Sequence, residues 1–337
     1  LRAGSRVPAR WFPAGAACER GRAAFAPLQL SETNPPRSER SPPSVNAPLL
    51  FRPTADAVYG FPNARRLACV DSPYQRIEVW DTPQLGRLFA LDGRPMTSTG
   101  DEFIYHECMV HPAALAHPAP KAALVLGGGD GGAARQLLKH AGIARIVVAE
   151  LDAEVVRLTR EYLADVHDGA FDDPRVELVI GDAAHYVAGI DAKAAARFDL
   201  VVFDLTPPDS PAADLYTPDF YRQLKHVMSP ASVLTLHLGS PYFHAERVAR
   251  LLGDLRNTFA VVRTMHTFIP LYGSLWMMAS ASDTLDPAAL TAETLTQRLA
   301  ARQIDSLKHY DAALHAGLFS ASRSVRDKLS QFLKPSS

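Results

Sequence analysis

The sequence predicts an α/β protein in which a Rossmann-like, doubly wound sheet follows a small N-terminal β domain. Two observations favour this fold class. From Lys121 onward, apolar strand segments alternate with helical segments at about 35 residues per unit, which is typical of a mostly parallel sheet. Before that point, short segments that alternate apolar and polar residues are separated by turn residues, as in antiparallel hairpins. The resulting division has three parts: residues 1–47, 48–117 and 118–330.

Residues 1–47 are rich in Arg, Ala, Pro and Ser and show no sustained apolar period. Such a segment buries too little apolar surface to offset the entropy of ordering it, so we expect a disordered extension. The chain begins with Leu1, and its first methionine is Met96. This indicates a fragment or an upstream extension, and the sequence leaves the true start open.

Residues 48–117 are predicted to form the β domain and a connecting helix. Residues 74–82 (YQRIEVWDT) and 87–93 (RLFALDG) are predicted to be paired strands, with a turn at Pro83–Gly86 between them. A second turn follows at Leu91-Asp92-Gly93. Residues 101–118 have helical spacing and lead into the next domain.

Residues 118–330 are predicted to form the Rossmann-like catalytic domain. Two helices are predicted, one over residues 133–142 that ends at Gly142 and one over residues 153–163. Strands are predicted over the following segments: residues 122–129, 145–151, 176–183, 198–205, 232–239 and 261–270.

The composition narrows the function classes. The 337 residues include 35 Lys+Arg against 36 Asp+Glu, and a formal net charge of −1 provides no basic field for nucleic acid or an anionic membrane. No uninterrupted apolar segment approaches the roughly 18–20 residues of a membrane span. The three cysteines form neither a CxxC pair nor a disulfide framework, which fits a reducing compartment. We therefore expect a cytoplasmic enzyme with no nucleic-acid or membrane partner.

A glycine-rich loop and two acids predict an adenosine site. The loop, residues 127–132 (GGGDGG), follows a predicted strand and precedes a helix. Glu150 ends the next strand, where an acid can bind two ribose hydroxyls, and Asp182 follows the strand after that, where a carboxylate can meet an adenine amino group. A glycine turn alone would be explained by tight packing. The glycine loop and the two acids, in this order at the ends of successive strands, favour an adenosine-binding site.

The charge of the loop discriminates among adenosine ligands. Asp130 lies within it, and a carboxylate there would repel a pyrophosphate or the carboxylate of S-adenosylmethionine. It suits the sulfonium and amine of decarboxylated S-adenosylmethionine. Asp204 ends the fourth strand, where open α/β sheets bind ligands, and it could take a proton from an ammonium nucleophile. A helix cap or turn is the alternative role for Asp204, and Asp209 is interpreted as a solvated turn residue.

Over about residues 70–285, the chain resembles the polyamine aminopropyltransferases, the spermidine synthase family. The landmarks occur in order along the chain: Tyr74-Gln75, Leu91-Asp92-Gly93, DEFIYHE at 101–107, GGGDGG, VVAELD, DDPRVELVIGDA, the strand ending at Asp204, and IPLYGSLW at 269–276. The resemblance implies a methyltransferase-type Rossmann domain after an N-terminal β domain. It also implies aminopropyl transfer from decarboxylated S-adenosylmethionine, as co-substrate, to an amine, with release of methylthioadenosine. No further cofactor is implied, and a homodimer or homotetramer is expected.

The resemblance also implies roles for individual residues. The donor-binding residues would be Gln75, Asp130, Glu150, Asp182, Ala183 and Pro211, with Asp130 on the transferred amine and Pro211 beside the adenine. The catalytic residues would be Asp204 as acid–base group and Tyr105 as orienting group. The acceptor-side residues would be His106, Asp130, Asp204 and Tyr272.

Plainer interpretations exist for some of these residues. Tyr105 and Tyr272 could be core aromatics, and His106 with Glu107 could be a surface pair. The 12 histidines show no HExxH or comparable spacing, so we predict no metal site.

The chain departs from the family pattern near the catalytic strand. Pro207 stands where the family has a second acid that helps to hold the accepting polyamine, and Ser210 replaces a glycine. His237 stands where many members carry Gln. These departures leave the acceptor open among putrescine, which is favoured, cadaverine, spermidine and other amines. The alternatives are an S-adenosylmethionine-dependent methyltransferase and a non-catalytic polyamine- or adenosyl-binding protein.

Overall fold

The N-terminal part of the chain folds as a five-stranded antiparallel sheet with its strands in sequential order. In this computed structural model, residues 47–190, 197–205, 208 and 210–333 are described. The strands are β1 (Ala47–Thr54), β2 (Ala57–Asp71), β3 (Arg76–Thr82), β4 (Gly86–Leu91) and β5 (Arg94–Ser98). Of the extension over residues 1–47, which we expect to be disordered, only Ala47 is among the described residues. Pro207 and Asp209 also lie outside the described residues.

The predicted hairpin is the pair β3–β4. Ile77 pairs with Leu91, and the apolar side chains of Ile77 and Val79 are fully buried, as the alternation requires. The turn after β4 uses positive φ angles at Asp92 (49°) and Gly93 (72°), which Asp and Gly tolerate better than most residues.

A single helix, α1 (Glu102–Ala116), leads from the first sheet to the second. All of its residues except Phe103 and Ile104 are buried, so it is covered on every side. Polar side chains in such a helix must find partners inside the protein. This requirement sets the contacts of Glu102, His106 and Glu107.

The second sheet has seven strands in the order β11-β12-β10-β9-β6-β7-β8. The strands are β6 (Ala122–Gly127), β7 (Arg145–Glu150), β8 (Val176–Ile180), β9 (Phe198–Asp204), β10 (Met228–Gly239), β11 (Val261–Ile269) and β12 (Ser274–Ser282). The neighbours from β10 to β8 are parallel, and β12 is antiparallel to both β10 and β11. The mostly parallel sheet is therefore confirmed, and β12 is a strand beyond those predicted from the sequence.

Helices cover both faces of this sheet. They are α2 (Gly132–Leu138), α3 (Ala153–Tyr162), α4 (Ala164–His167), α5 (Ala183–Gly189), α6 (Pro218–Lys225), α7 (Ala245–Arg256), α8 (Ala292–Ala301), α9 (Ala312–Leu318) and α10 (Arg323–Ser330). None of the helices in the described ranges is both long enough and apolar enough to cross a membrane. All described residues belong to one compact unit, and the proposed boundary between residues 117 and 118 stays a prediction.

The helix predicted to end at Gly142 is shorter than expected. It ends at Leu138, and the chain then turns through hydrogen bonds from the His140 amide to Leu137 and from the Ile143 amide to His140. His140 is buried and lies 3.0 Å from the ring of His111, so tertiary contacts stop the helix before the glycine.

A buried carboxylate of α1 binds the C-terminal segment, the part of the chain that follows α8, at residues 308–310. Glu107 is buried, and its oxygens accept the backbone N–H groups of Lys308, His309 and Tyr310 at 2.8–2.9 Å. Arg302, directly after α8, donates to the carbonyl groups of Ala114 in α1 and of His117 directly after α1. Hydrogen bonds to an ionised acceptor are the stronger kind in proteins.

We expect Glu107→Gln to destabilise the protein by about 1–3 kcal/mol, because the amide NH₂ cannot accept the N–H groups that the carboxylate accepts. Urea denaturation of both forms measures the difference. Glu161→Gln, at an exposed ion pair with Arg157, is the control and should change stability by no more than about 0.5 kcal/mol. Equal stability of Glu107→Gln and the unchanged protein would contradict this role.

Candidate active site

A cleft of about 350 Å³ lies between the two sheets, at the carboxyl ends of the parallel strands. This is the edge at which open α/β sheets bind ligands. Residues of the N-terminal sheet, among them Tyr59 and Met96, complete the wall opposite the strand ends.

The glycine loop is folded against the end of β9. Gly127, Gly128 and Gly131 have φ angles of 75°, 72° and 77°, which favour glycine. The Gly128 amide donates to the Asp204 carbonyl at 2.9 Å, and a Cβ on Gly127 would lie 2.3 Å from the same oxygen. The loop therefore requires glycine to bring its backbone to the strand end.

Glu150 lies at the floor of the cleft beside this loop. Its Oε2 accepts the Gly129 N–H at 3.1 Å, and its Oε1 accepts the Asp152 N–H at 2.9 Å. Burial raises the pKa of Glu150 to about 7 despite these bonds. The side chain thus titrates near neutral pH.

The other predicted donor-side residues also line the cleft. Asp182 caps α5 by accepting the amides of Ala184 and His185 on one oxygen, Oδ1. Gln75 donates to Asp152 at 3.1 Å, which links the N-terminal sheet to the start of α3. All six predicted donor-binding residues are on the wall: Gln75, Asp130, Glu150, Asp182, Ala183 and Pro211.

Asp130 and Asp204 both approach the same ring nitrogen of His106. Nε2 of His106 lies 3.3 Å from Oδ2 of Asp204 and 3.6 Å from Oδ1 of Asp130. Its Nδ1 lies 2.7 Å from Glu102, which also accepts from Arg135 at 2.6 Å. A Cβ on Gly132 would lie 2.0 Å from the His106 ring, so the second half of the glycine loop makes room for the imidazole.

The charges of this cluster follow from its contacts. Burial would lower the pKa of His106, but Asp130, Asp204 and Glu102 outweigh burial and raise it to about 10. Burial would raise the pKa of Asp204, but His106 and His237 hold it below its usual range. The pKa of Asp130 is raised, mainly by burial. His106 is therefore an imidazolium at neutral pH.

Aromatic rings form the wall next to Asp204. Tyr105 lies 6.0 Å from Tyr272 and 5.4 Å from His237, and Tyr272 lies 4.3 Å from Trp276 between ring centroids. Tyr105 donates to Asp130 at 3.3 Å, and Tyr272 donates to the Met96 carbonyl at 2.8 Å. Burial raises the pKa of both tyrosines, so both hydroxyls stay protonated.

The same cluster has the spacing of a possible metal site. Single ligand atoms of His106, Asp130 and Asp204 lie within 4.8 Å of one another, a spacing that a metal ion could use. The raised pKa of His106 keeps the imidazole protonated in the ligand-free protein, so a metal ion would have to displace that proton before Nε2 could bind it. As it stands, the cluster suits an ammonium group better, and the predicted lack of a metal site stays a prediction.

The structure refines several of the predicted positions. Tyr105, Asp204 and Tyr272 lie on the cleft wall, but His106 is fully buried behind Asp130 and Asp204. The interpretation of His106 and Glu107 as a surface pair is wrong, because both are buried and their side chains have different partners.

Three further residues belong to the site although the sequence predicts no role for them. Glu102 and Arg135 lie behind His106, and Trp276 donates from its indole to Nδ1 of His237 at 2.9 Å. The spacing of Glu102 and His106, four residues apart on a helix, was the available signal. Trp276 lay within a quoted landmark without an assigned role.

Residues 102–290 match the family described as the spermine/spermidine synthase domain. The chain is 45% identical over 260 residues to the polyamine aminopropyltransferase of Nitrosomonas europaea, which covers 77% of this chain and 79% of that protein. It is 36% identical over 293 residues to the polyamine aminopropyltransferase of Pyrobaculum neutrophilum, which covers 86% and 97%.

Two solved structures share the fold along most of the chain. A spermidine synthase in complex with the transition state analogue AdoDATO superposes with a TM-score of 0.78 at 29% identity, and covers 87% of this chain and 99% of that one. The spermidine synthase from Thermotoga maritima gives a TM-score of 0.77 at 29% identity, with 87% and 98% covered. These matches confirm the predicted fold class, and the chain belongs to the spermine/spermidine synthase family.

Proposed function

We propose that the protein transfers the aminopropyl group of decarboxylated S-adenosylmethionine to an amine acceptor and releases methylthioadenosine. One observation carries the proposal. Two carboxylates, those of Asp130 and Asp204, lie where a cationic aminopropyl sulfonium would bind. The same cleft wall also carries Glu150 and Asp182. Family membership supports the same reaction.

The donor would be held by its two ends. Glu150 would accept the ribose hydroxyls, and Asp182, whose Oδ2 does not take part in capping α5, would accept the adenine amino group. Asp130 would bind the ammonium of the aminopropyl arm. This leaves the sulfonium and the reacting carbon beside Asp204.

The acceptor amine must be neutral to attack that carbon. Asp204 would take its proton and hold the nitrogen in line with the carbon–sulfur bond. The rings of Tyr105, Tyr272 and Trp276 would surround the ammonium, whose charge is attracted by aromatic faces. The roles of Gln75, Ala183 and Pro211, like these, are assigned from the family resemblance and from their positions on the wall.

The proposal also names the acceptor, the cellular compartment and the oligomeric state. Putrescine is the favoured acceptor, which would make spermidine the product. We place the protein in the cytoplasm, as a homodimer or homotetramer with only small-molecule substrates as partners. Decarboxylated S-adenosylmethionine serves as co-substrate and no other cofactor is proposed.

The proposal is tested by incubating the protein with decarboxylated S-adenosylmethionine and a panel of amines: putrescine, cadaverine, spermidine and agmatine. Mass spectrometry of methylthioadenosine and of the extended amine measures turnover. Release with one preferred amine is expected. Donor binding without release for any amine would favour a binding protein. In a parallel incubation with S-adenosylmethionine, methyl transfer would favour a methyltransferase.

We expect Asp204→Asn to lower kcat by about 10²–10⁴-fold, because the amide cannot take a proton from the acceptor. Affinity for methylthioadenosine, measured by calorimetry, should change by less than about threefold, since adenosine contacts lie elsewhere. Asp199→Asn, on the same strand but outside the cleft, is the matched control and should keep turnover. Full activity of Asp204→Asn would refute the mechanism.

We expect methylthioadenosine to bind more weakly as pH falls through about 7. The pKa of Glu150 is raised to about 7, so the carboxylate that accepts ribose hydroxyls is present above this pH and lost below it. Affinity should fall by up to about tenfold per pH unit below 7, as measured by calorimetry from pH 5.5 to 8.5. Glu150→Gln should bind weakly with little pH dependence, and a flat profile for the unchanged protein would contradict this role.

A further inference from the structure

We propose that Asp101 is a positioning residue for the acceptor side of the cleft, because it fixes the turn that carries Tyr272. The inference rests on the proposed function, in which the rings of Tyr105 and Tyr272 surround the acceptor ammonium. Asp101 itself does not line the cleft: it is 1% exposed and lies behind the wall. Its effect on the acceptor must therefore act through the residues that it holds.

The carboxylate of Asp101 is turned away from its own helix. Asp101 is the N-cap of α1, where an aspartate ordinarily accepts an amide of the first helical turn, yet its side chain forms no such bond. Its Oδ2 instead accepts the N–H of Leu271 at 2.7 Å, 170 residues further along the chain. The hydroxyl of Ser98 donates to its Oδ1 at 2.5 Å and so orients the carboxylate. The group therefore stabilises a tertiary contact rather than its own helix.

The turn between β11 and β12, residues 270–273, is held from outside its own sheet. Leu271 is fully buried, and both of its backbone groups are bound: Asp101 accepts its N–H, and the hydroxyl of Tyr59 donates to its carbonyl at 3.0 Å. The hydroxyl of Tyr272 donates to a backbone carbonyl of β5 at 2.8 Å. The position of the turn, and of the ring of Tyr272, therefore depends on contacts with the N-terminal part of the chain.

The bond between Asp101 and Leu271 sets the spacing of two aromatic rings on the acceptor side. Tyr105 lies four residues after Asp101 in α1, and Tyr272 directly follows Leu271. The centroids of the two rings are 6.0 Å apart, and their planes are inclined by 29°. Because the bond joins the start of α1 to the turn, it fixes one ring relative to the other. A shift of about 1 Å in a positioning group is enough to weaken a site strongly.

The adenosine side of the cleft has separate supports. Glu150 at the end of β7 accepts the amides of Gly129 and Asp152, and Asp182 after β8 caps α5. These contacts do not involve the turn after β11. A change at Asp101 should therefore alter the KM of the amine far more than the affinity for the adenosine part of the donor.

The test compares Asp101→Ala with Asp101→Asn. Alanine removes both accepted bonds, whereas asparagine can still accept the N–H of Leu271 on its carbonyl oxygen and donate its NH₂ to the oxygen of Ser98. Asp199→Ala is the matched control, since Asp199 also accepts backbone amides and a serine hydroxyl but lies outside the cleft. The readouts are kcat, the KM of putrescine or of the amine in the panel that turns over fastest, and methylthioadenosine affinity by calorimetry.

Asp101→Ala should raise the KM of the amine about tenfold or more, while kcat and methylthioadenosine affinity change by less than about threefold. Asp101→Asn should stay within about twofold of the unchanged protein in every readout, because the bond to Leu271 is kept. Asp199→Ala should leave the KM of the amine within about twofold. Ser98→Ala, used if Asp101→Ala does not fold, removes the bond that orients the carboxylate and should raise this KM by about threefold or more.

Four outcomes would overturn the positioning role. The first is an unchanged KM of the amine in Asp101→Ala or, where that variant does not fold, in Ser98→Ala. An equal rise in Asp101→Asn and Asp101→Ala would show that the charge of the carboxylate matters, and not the bond that it accepts. A similar rise in Asp199→Ala, or an equal loss of methylthioadenosine affinity in Asp101→Ala, would show a general loss of structure. No methylthioadenosine from the unchanged protein with any amine would overturn the proposed function, and the positioning role with it.

Discussion

The candidate site depends on a buried imidazolium held among three carboxylates. His106 contacts Glu102, Asp204 and Asp130 within 3.6 Å while having no exposed surface. Two carboxylates so close to one another would repel if both were ionised, and one would take up a proton. The imidazolium offsets this repulsion, so that Asp204 stays ionised at neutral pH in the ligand-free protein. Negative charge is thereby kept at the cleft wall for cationic ligands.

The surrounding fold is organised to keep this cluster in place. Helix α1 is buried on nearly every side, and therefore each of its polar side chains must be matched by a partner from another element. Glu102 faces α2, His106 faces the strand ends and Glu107 faces the C-terminal segment. The C-terminal segment lies far from the cleft chemistry along the chain, yet it packs on the helix that carries that chemistry.

The fold and most wall residues were predictable because they depend on local patterns. The periodicity of the strands predicts the sheet. Because a parallel sheet brings its strand ends to one edge, the glycine loop and the acids that follow successive strands are expected to meet there. The early end of α2 was not predictable, since it depends on the tertiary contact between His140 and His111. Likewise, the burial of His106 depends on how α1 packs, and no periodicity shows a helix that is buried on every side.

The ring of His237 has its tautomer fixed by a neighbouring indole. An indole N–H can only donate, so Nδ1 of His237 must accept from Trp276 and its proton must lie on Nε2. That Nε2 faces Oδ1 of Asp204 at 3.7 Å. The ring thus presents an N–H to the carboxylate. Because Trp276 fixes the tautomer, His237 keeps a donor beside Asp204. Without the indole, the ring would be free to present a lone pair, which would repel the carboxylate.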